Sequence, residues 1–399
     1  MQLFVIVTLC IMTCPLLYGG YVFYLLARLD RAEKQARRYS ICPVCHRVIR
    51  LTHFRCSCGK DHELIPTDKE IFYIKCSCGK RLPKLPRLGR DELVALCPHH
   101  RPYHSIGKYV GTFPEVLLPI VGGTSTGKSA LLAAWTFYAQ KRLPFGYGVD
   151  VTFPFEGGTE YADDCLRRFQ QGVPPGKTAL IDPPAVGLDI VSQTSRKGLR
   201  LYLYDPAGEV FDPLSNESEN TLNPFGYYDF MDGVLFVIDP FSLPVFQQKY
   251  PQEFLNSHGF QASDKRTEDS CEKFIRGLYA HNLGHDEYHY ASCAVVITKA
   301  DAFELDSLVG DGAVQKHMKA NPRLSFDDAL DEVCSLQLKN WGLGHVVELL
   351  SKHFKSVRCF SVSAYGHVPE DGIPFIPQRI ELPILWLLNK KMPHVLVKR

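Results

Sequence analysis

The sequence predicts an α/β protein, in which a mostly parallel sheet carries helices on both faces and follows a transmembrane helix and a small cysteine-rich module. Three observations indicate this fold class. From Tyr109 onward, short apolar runs alternate with helical stretches, as in sheets that are buried on both faces. The first 27 residues contain a long run without charged side chains, and seven of the 14 cysteines lie between Cys42 and Cys97. We expect three parts, an anchor with a basic flank at 1–38, a cysteine-rich module at 39–105 and an α/β domain at 109–399.

Overall composition limits the function before any motif is considered. The 399 residues include 45 Lys and Arg against 43 Asp and Glu, a formal net charge of +2. Near neutrality excludes a polyanion-binding surface that extends over the whole chain. Hydrophobic residues at 45% and charged residues at 22% are typical of a folded protein, which excludes wholesale disorder.

The N-terminal segment 3–27 has no charged side chain. As a helix it would extend about 37 Å at ~1.5 Å per residue, which exceeds a hydrocarbon core of ~30 Å. A cleaved signal peptide is the alternative, but no basic residue precedes Leu3 and no A-x-A pattern follows the run. Five basic residues between 28 and 38 outnumber two acidic ones, and such a bias keeps the flank cytoplasmic. We therefore expect a single-pass anchor (in the inner membrane if the source is bacterial), with the body in the reducing cytoplasm.

The cysteine-rich module offers four ligand pairs for metal ions, which are Cys42 with Cys45, Cys56 with Cys58, Cys76 with Cys78, and Cys97 with His99 or His100. Short spacing lets two thiolates from one turn reach the same ion, and eight ligands suffice for two closed tetrahedral zinc sites. Ribbon-like loop lengths favour one site from Cys42, Cys45, Cys56 and Cys58 and another from Cys76, Cys78, Cys97 and His100. In a nested alternative, the two Cys-Ser-Cys turns share one ion.

The charge of this module bears on nucleic-acid binding. Residues 42–104 contain twelve Lys and Arg against six Asp and Glu. Seven thiolates with two Zn²⁺ ions reduce that excess to about +3. A spacer or protein-docking role is therefore expected, without nucleic acid as a partner.

The α/β domain contains five apolar runs typical of parallel strands, at 116–121, 199–204, 234–238, 294–297 and 357–361. The run 186–192 pairs with 199–204 as an expected antiparallel hairpin, because a polar turn separates them. Near the C-terminus, 384–388 predicts an amphipathic helix that covers the sheet.

The first strand-like run is followed by a phosphate-binding sequence, Gly122, Gly123, Thr124, Ser125, Thr126, Gly127, Lys128 and Ser129, and then by helical residues 130–139. A strand, a GxxxxGK[ST] loop and a helix in this order form a cradle of backbone N–H groups at a helix N-terminus. Lys128 would contact the β- and γ-phosphates, and Ser129 would bind Mg²⁺.

Three later motifs follow the ends of other strands, namely Asp205-Pro-Ala-Gly208-Glu209, Thr298-Lys299-Ala300-Asp301 and Ser361-Val-Ser363-Ala364. Asp205 could hold Mg²⁺ through water, and the Gly208 N–H could reach a γ-phosphate. The Asp301 carboxylate can accept two N–H bonds from the guanine edge, whereas adenine offers no such donor pair. The Lys299 stem can lie along the base, and a backbone N–H near Ser363 and Ala364 could meet guanine O6.

These four motifs resemble the G1, G3, G4 and G5 motifs of translation-factor-related (TRAFAC) P-loop GTPases. With its anchor and zinc module, the chain is similar to the bacterial TRAFAC-clade proteins sometimes called double-GTPases. The resemblance covers roughly 116 to the C-terminus. It implies a Ras-like sheet, binding of GTP and GDP with Mg²⁺, and a conformational switch controlled by the nucleotide.

Three departures from the family pattern affect the expected catalysis. Thr298 replaces the usual Asn, and Glu209 stands where Ras-like enzymes carry a glutamine that orients water. The switch I threonine is assigned to Thr178, with Thr152 and Thr159 as alternatives. The expected catalytic residues are Lys128, Glu209 and Thr178. Hydrolysis should be slow without a partner protein that supplies an arginine.

The sequence thus predicts a membrane-anchored cytoplasmic GTPase that acts as a switch on an unknown protein effector. A non-hydrolysing scaffold that holds guanine nucleotide and recruits partners to the membrane is the alternative. An ATPase is a third option, but Pro206 follows Asp205 where an acidic pair would be expected, and Asp301 would have no role.

Overall fold

The computed structural model describes residues 18–19, 21–22, 24–25, 40–42, 48–49, 53–64, 70, 72–85, 88–99, 103–110, 113–155, 157–175, 185–194, 197–205, 231–263, 266–280, 291–370, 372–392 and 396. The chain divides into two compact units. The first, here called the cysteine-rich unit, comprises residues 1–42 and 47–114. The second, the sheet unit, comprises 43–46 and 115–399.

The expected membrane anchor falls mostly outside the described residues. Within it, 18–19, 21–22 and 24–25 are helical, and the side chains of Tyr18, Tyr21 and Tyr24 are exposed. No helix among the described residues has both the length and the apolar character needed to cross a membrane. The anchor at 3–27 therefore stays a prediction.

The cysteine-rich unit consists of short antiparallel strands. They are β1 (Ser40–Ile41), β2 (Val48–Ile49), β3 (His53–Arg55), β4 (Asp61–Glu63), β5 (Tyr73–Lys75), β6 (Arg81–Pro83), β7 (Val94–Leu96) and β8 (Ser105–Gly107), with a 3-10 turn at Arg90–Glu92. β1 pairs with β2, β5 pairs with β6, and the others form a four-stranded sheet in the order β4-β3-β7-β8. Phe54, Leu82, Leu96 and Ile106 are buried, but so small an apolar core calls for added cross-links such as metal ions.

The sheet unit is built on seven strands, β9 (Glu115–Val121), β10 (Val149–Thr152), β11 (Ala185–Ser192), β12 (Gly198–Tyr204), β13 (Gly233–Ile238), β14 (Ser292–Ile297) and β15 (Ser356–Ser361). Their order is β10-β11-β12-β9-β13-β14-β15. The last five in this order are parallel, and they are the five apolar runs predicted from the sequence. β11 and β12 pair antiparallel, so the predicted hairpin is confirmed, and β10 extends it at the edge.

Helices flank this sheet. They are α1 (Lys128–Lys141), α2 (Leu143–Tyr147), α3 (Gly158–Gln171), α4 (Pro244–Gln247), α5 (Gln252–Ser257), α6 (Thr267–Ala280), α7 (Leu305–Val309), α8 (Asp311–Ala320), α9 (Phe326–Asn340), α10 (Gly344–His353) and α11 (Glu381–Lys391), with a 3-10 turn at Pro240–Ser242. Every residue of β12, β13 and β14 is buried, as expected when both faces of a parallel sheet are covered. α11 contacts β13 and β14, so the predicted closing helix is confirmed.

A buried ion pair joins two neighbouring strands of the sheet. Asp189 of β11 lies directly opposite Arg200 of β12. The guanidinium donates from Nε to Asp189 Oδ1 at 2.6 Å and from Nη2 to Oδ2 at 2.8 Å. The Phe155 ring covers the Arg200 guanidinium. The same ring lies close to Gly187, where an added Cβ would be 2.0 Å from a ring carbon. Any side chain at Gly187 would therefore displace this ring.

Candidate functional site

The glycine-rich loop 122–129 connects β9 to α1. β9 ends at Val121, and α1 begins at Lys128. A Cβ at Gly122 would lie 2.8 Å from the Val237 carbonyl oxygen, which is closer than side-chain carbons come. Gly127 has a φ of 93°, in the left-handed region that glycine adopts without strain. These two glycines let the loop turn tightly beside β13 and present its N–H groups at the start of α1.

Lys128 lies within this loop. Its Nζ donates to the carbonyl oxygens of Gly122 at 2.9 Å and of Gly123 at 2.6 Å. The Thr126 hydroxyl donates to the same Gly123 carbonyl at 2.9 Å. A buried ammonium group thus adds to the partial positive charge of the α1 N-terminus, an arrangement suited to anions.

A hydroxyl and a carboxylate meet beside the loop. Ser129 Oγ donates to Asp205 Oδ2 at 2.6 Å, and Asp205 is 1% exposed at the end of β12. Oxygen donors of this kind suit Mg²⁺. Gly208, Glu209 and Thr178 lie outside the described residues. Of the alternatives to Thr178, Thr152 is exposed, and Thr159 Oγ1 donates to the Phe153 carbonyl at 3.3 Å.

The segment after β14 contacts the glycine-rich loop. The Thr298 hydroxyl lies 2.8 Å from the Thr126 carbonyl oxygen and 3.1 Å from that of Ile238, so it can donate to either. Lys299 Nζ donates to the Ser125 carbonyl at 3.2 Å. Asp301, two residues further on, is half-buried. Thr298 and Lys299 thus connect the segment after β14 to the glycine-rich loop.

The segment after β15 lies beside Thr298-Lys299-Ala300-Asp301, because the Ala300 N–H donates to the Val362 carbonyl at 3.1 Å. The sequence offers a backbone N–H near Ser363 or Ala364 to a base, and the Ser363 N–H already has a partner. That N–H donates to the Gln378 carbonyl at 3.0 Å, and Ser363 Oγ accepts the Gly366 N–H at 2.7 Å. Ser363 therefore holds the turn, and of the pair Ala364 is the remaining candidate.

Sequence reasoning missed a further carboxylate, that of Asp239. It follows β13, and its side chain is 0% exposed. Its Oδ2 accepts from Lys299 Nζ at 2.8 Å. The sequence pattern could have identified this residue, because Asp239 follows an apolar strand just as Asp205 does.

In the cysteine-rich unit, Cys56, Cys58, Cys76 and Cys78 form one cluster whose sulfur atoms all lie within 4.8 Å of one another. Four thiols at this spacing could hold one zinc ion. The grouping preferred from the sequence, which divides these four residues between two sites, is therefore wrong, and the four residues group as in the nested alternative. The reason is that the two turns face each other, with Lys60 Nζ donating to Ser77 Oγ at 2.6 Å and Lys80 Nζ to Ser57 Oγ at 3.2 Å.

A second cluster consists of Cys42, Cys97 and His104. Cys42 Sγ lies 2.8 Å from His104 Nε2. The expected ligands Cys45 and His100 lie outside the described residues. His104 belongs to this cluster because Cys97 N donates to the His104 carbonyl at 3.0 Å and β7 and β8 pair antiparallel beside that bond.

The thiol most suited to metal binding is that of Cys76. A hydrogen bond from the Cys78 N–H, followed by those from the Cys78 and Cys58 thiols and from His62, lowers the pKa of Cys76 to about 5. The thiolate is the form that binds metal ions. The lowered pKa of Cys76 therefore favours metal binding by this residue.

Comparisons with known proteins add no assignment. No family model matches the chain, and a search of curated proteins finds none with significant similarity. The function must be argued from the geometry.

Proposed function

We propose that the sheet unit binds Mg·GTP and hydrolyses it, as a P-loop GTPase that switches between two nucleotide states. The observation that carries this proposal is the pair Ser129 and Asp205, 2.6 Å apart beside a buried lysine in a glycine-rich loop. A hydroxyl, a carboxylate and an ammonium at a helix N-terminus are the groups that a magnesium–nucleotide complex requires.

The topology supports a ligand at this place. After β9, the chain forms β10, β11 and β12 on one side of that strand and only then crosses to β13 on the other side. Ligands of open α/β sheets bind beyond the carboxyl ends of the strands at such a switch point. All four motifs follow the carboxyl ends of parallel strands, so they lie along one edge of the sheet.

Each residue then has a role in phosphate binding. Lys128 would exchange its bonds to the Gly122 and Gly123 carbonyls for bonds to β- and γ-phosphate oxygens, which are stronger acceptors because they are charged. Ser129 and Asp205 would hold Mg²⁺, which neutralises phosphate charge when bound. Loop N–H groups would donate to the remaining phosphate oxygens.

Base recognition falls to the segments after β14 and β15. Asp301 would accept from guanine N1 and N2, the Lys299 stem would lie along the ring, and the Ala364 N–H would donate to O6. GTP, rather than ATP, is the proposed nucleotide because adenine lacks the donor pair that a carboxylate needs.

Hydrolysis would follow in-line attack by water on the γ-phosphate. Glu209 and Thr178 are the proposed water-orienting and switch residues, and a partner protein would supply further positive charge. The anchor at 3–27 would hold the protein at the membrane with its body in the cytoplasm. A scaffold that binds guanine nucleotide without hydrolysis remains the alternative.

Nucleotide competition tests the binding proposal. With purified full chain and Mg²⁺, GTP and GDP should displace a fluorescent guanine nucleotide, whereas ATP should compete roughly 100-fold less well, since two charge-assisted hydrogen bonds are lost. Asp301→Ala should lose this preference. Asp327→Ala, an exposed carboxylate in the first turn of α9, is the matched control and should not. Equal competition by ATP, or normal discrimination in Asp301→Ala, would contradict guanine recognition.

Measuring phosphate release distinguishes a GTPase from a scaffold that binds guanine nucleotide without hydrolysing it. A slow GTPase should release phosphate in proportion to protein, and Glu209→Gln should change that rate. If wild-type protein releases none and Glu209→Gln behaves identically, the scaffold is the correct description.

We further propose two zinc ions in the cysteine-rich unit, an inner one at Cys56, Cys58, Cys76 and Cys78 and an outer one at Cys42, Cys97 and His104. Metal analysis of the purified chain should give two zinc ions per protein. His104→Ala should lower that number to one, whereas His100→Ala should leave it at two. The opposite result would restore the arrangement expected from the sequence.

A further inference from the structure

Asp239 connects distant parts of the candidate site through one carboxylate. Its Oδ1 accepts the Phe241 N–H at 3.1 Å. Its Oδ2 accepts the Ser263 N–H at 2.9 Å and Lys299 Nζ at 2.8 Å. Only the bond to Phe241 is local, of the kind that caps a turn after a strand. The other two bonds reach residues 24 and 60 positions away in the sequence.

Lys299 is the centre of this network. Besides Asp239, its Nζ donates to the Gln261 carbonyl at 2.5 Å and to the Ser125 carbonyl at 3.2 Å. Its side chain is only 15% exposed. One ammonium group therefore joins the glycine-rich loop, the end of β13 and the segment 261–263.

The backbone at Lys299 needs such support. Its φ is 57°, a left-handed conformation that costs a non-glycine residue free energy and persists where the surroundings impose it. Asp301 follows two residues later, so the direction of its carboxylate depends on this turn. The bonds from Lys299 Nζ, the Thr298 hydroxyl and the Ala300 N–H help to impose the conformation.

We propose that Asp239 is a positioning residue for guanine recognition. Asp239 holds the Lys299 stem beside the proposed position of the base. It also holds the segment 261–263, which belongs to none of the four motifs. This inference rests on the proposed function, because it requires that guanine nucleotide binds beside Lys299 and Asp301. The charge of Asp239 acts through Lys299 and does not touch the nucleotide.

A positioning role predicts a specific effect on nucleotide release. Without the Asp239 carboxylate, Lys299 Nζ loses its charged partner, and the stem no longer has a single place along the base. Asp239→Asn should therefore accelerate dissociation of a fluorescent GDP from the full chain by roughly 10- to 100-fold, the range expected for one charge-assisted hydrogen bond. The preference for guanine over adenine should persist, because Asp301 is intact.

Matched variants separate positioning from folding. Asp189→Asn removes an equally buried carboxylate charge from the same sheet, and it should lower the thermal midpoint without changing GDP dissociation. Lys299→Met keeps the apolar stem but has no ammonium group. If Asp239 acts through Lys299, the double variant Asp239→Asn with Lys299→Met should release GDP at the rate of Lys299→Met alone.

Each result has one meaning. The positioning role would be overturned if Asp239→Asn released GDP at the wild-type rate. It would also be overturned if the effects of Asp239→Asn and Lys299→Met on the GDP dissociation rate multiplied in the double variant. Neither result would contradict guanine binding. Wild-type protein that binds no guanine nucleotide would overturn the proposed function and this inference with it. If Asp239→Asn does not fold, Lys299→Arg, which can keep the ion pair, should release GDP more slowly than Lys299→Met, and equal rates would contradict the role.

Discussion

Lys128→Ala should lose nucleotide affinity by roughly 1,000-fold, because in the proposed complex the ammonium group would make charge-assisted bonds to two phosphates in a buried position. Lys128 is 6% exposed and lies inside the glycine-rich loop, where its Nζ donates to the Gly123 carbonyl. Titration of a fluorescent GDP against the purified full chain measures the loss.

Lys141→Ala is the control for this prediction. Lys141 is the last residue of α1, at the opposite end of that helix from Lys128, and it is exposed. Its removal changes the net charge equally but should leave affinity unchanged. Similar losses in both variants would indicate a nonspecific charge effect and would contradict the role of Lys128.

Arg200→Ala should destabilise the sheet unit by about 3–5 kcal/mol, the cost of leaving a buried charge without its partner. Asp189 and Arg200 are each 1% exposed, and burial raises the pKa of Asp189, so the carboxylate is expensive to keep ionised. The loss of the Phe155–Arg200 contact adds to the effect. Urea unfolding followed by intrinsic fluorescence measures the change.

Two further variants serve as controls for the effect of Arg200→Ala on stability. Arg276→Ala removes an exposed guanidinium from a surface pair with Glu272, and it should not change the unfolding midpoint measurably. Combining Arg200→Met with Asp189→Leu should recover much of the lost stability, since apolar residues can replace a buried pair. A loss in Arg200→Ala as small as in Arg276→Ala would show that the pair contributes little.

Much of the fold could be predicted because its signals are local. Runs of apolar residues at 116–121 or 294–297 specify buried strands through the pattern of neighbouring side chains alone. The glycine-rich loop is equally local, because its glycines, Lys128 and Ser129 are consecutive. For the same reason, the closing helix and the hairpin of β11 and β12 were predicted correctly.

The candidate site could be predicted only in part. The motifs after β9, β12 and β14 identify Lys128, Asp205 and Lys299, and parallel strands bring their ends to one edge of the sheet. A backbone N–H near Ser363 or Ala364 was expected to meet the base, and the Ser363 N–H donates to the Gln378 carbonyl. That partner comes from a segment whose position the local sequence does not specify.

By itself, then, the sequence determined the strands, the glycine-rich loop and the set of cysteines, since each depends on residues close together in the chain. Only the tertiary structure decided which cysteine pairs share a cluster, that His104 joins Cys42 and Cys97, and that Asp239 meets Lys299. Arg200 and Asp189 likewise become partners through strand register. These contacts depend on distances across the fold. A hydrogen bond or a set of metal ligands forms where packing brings the atoms together, and the sequence separation of the residues does not determine where that happens.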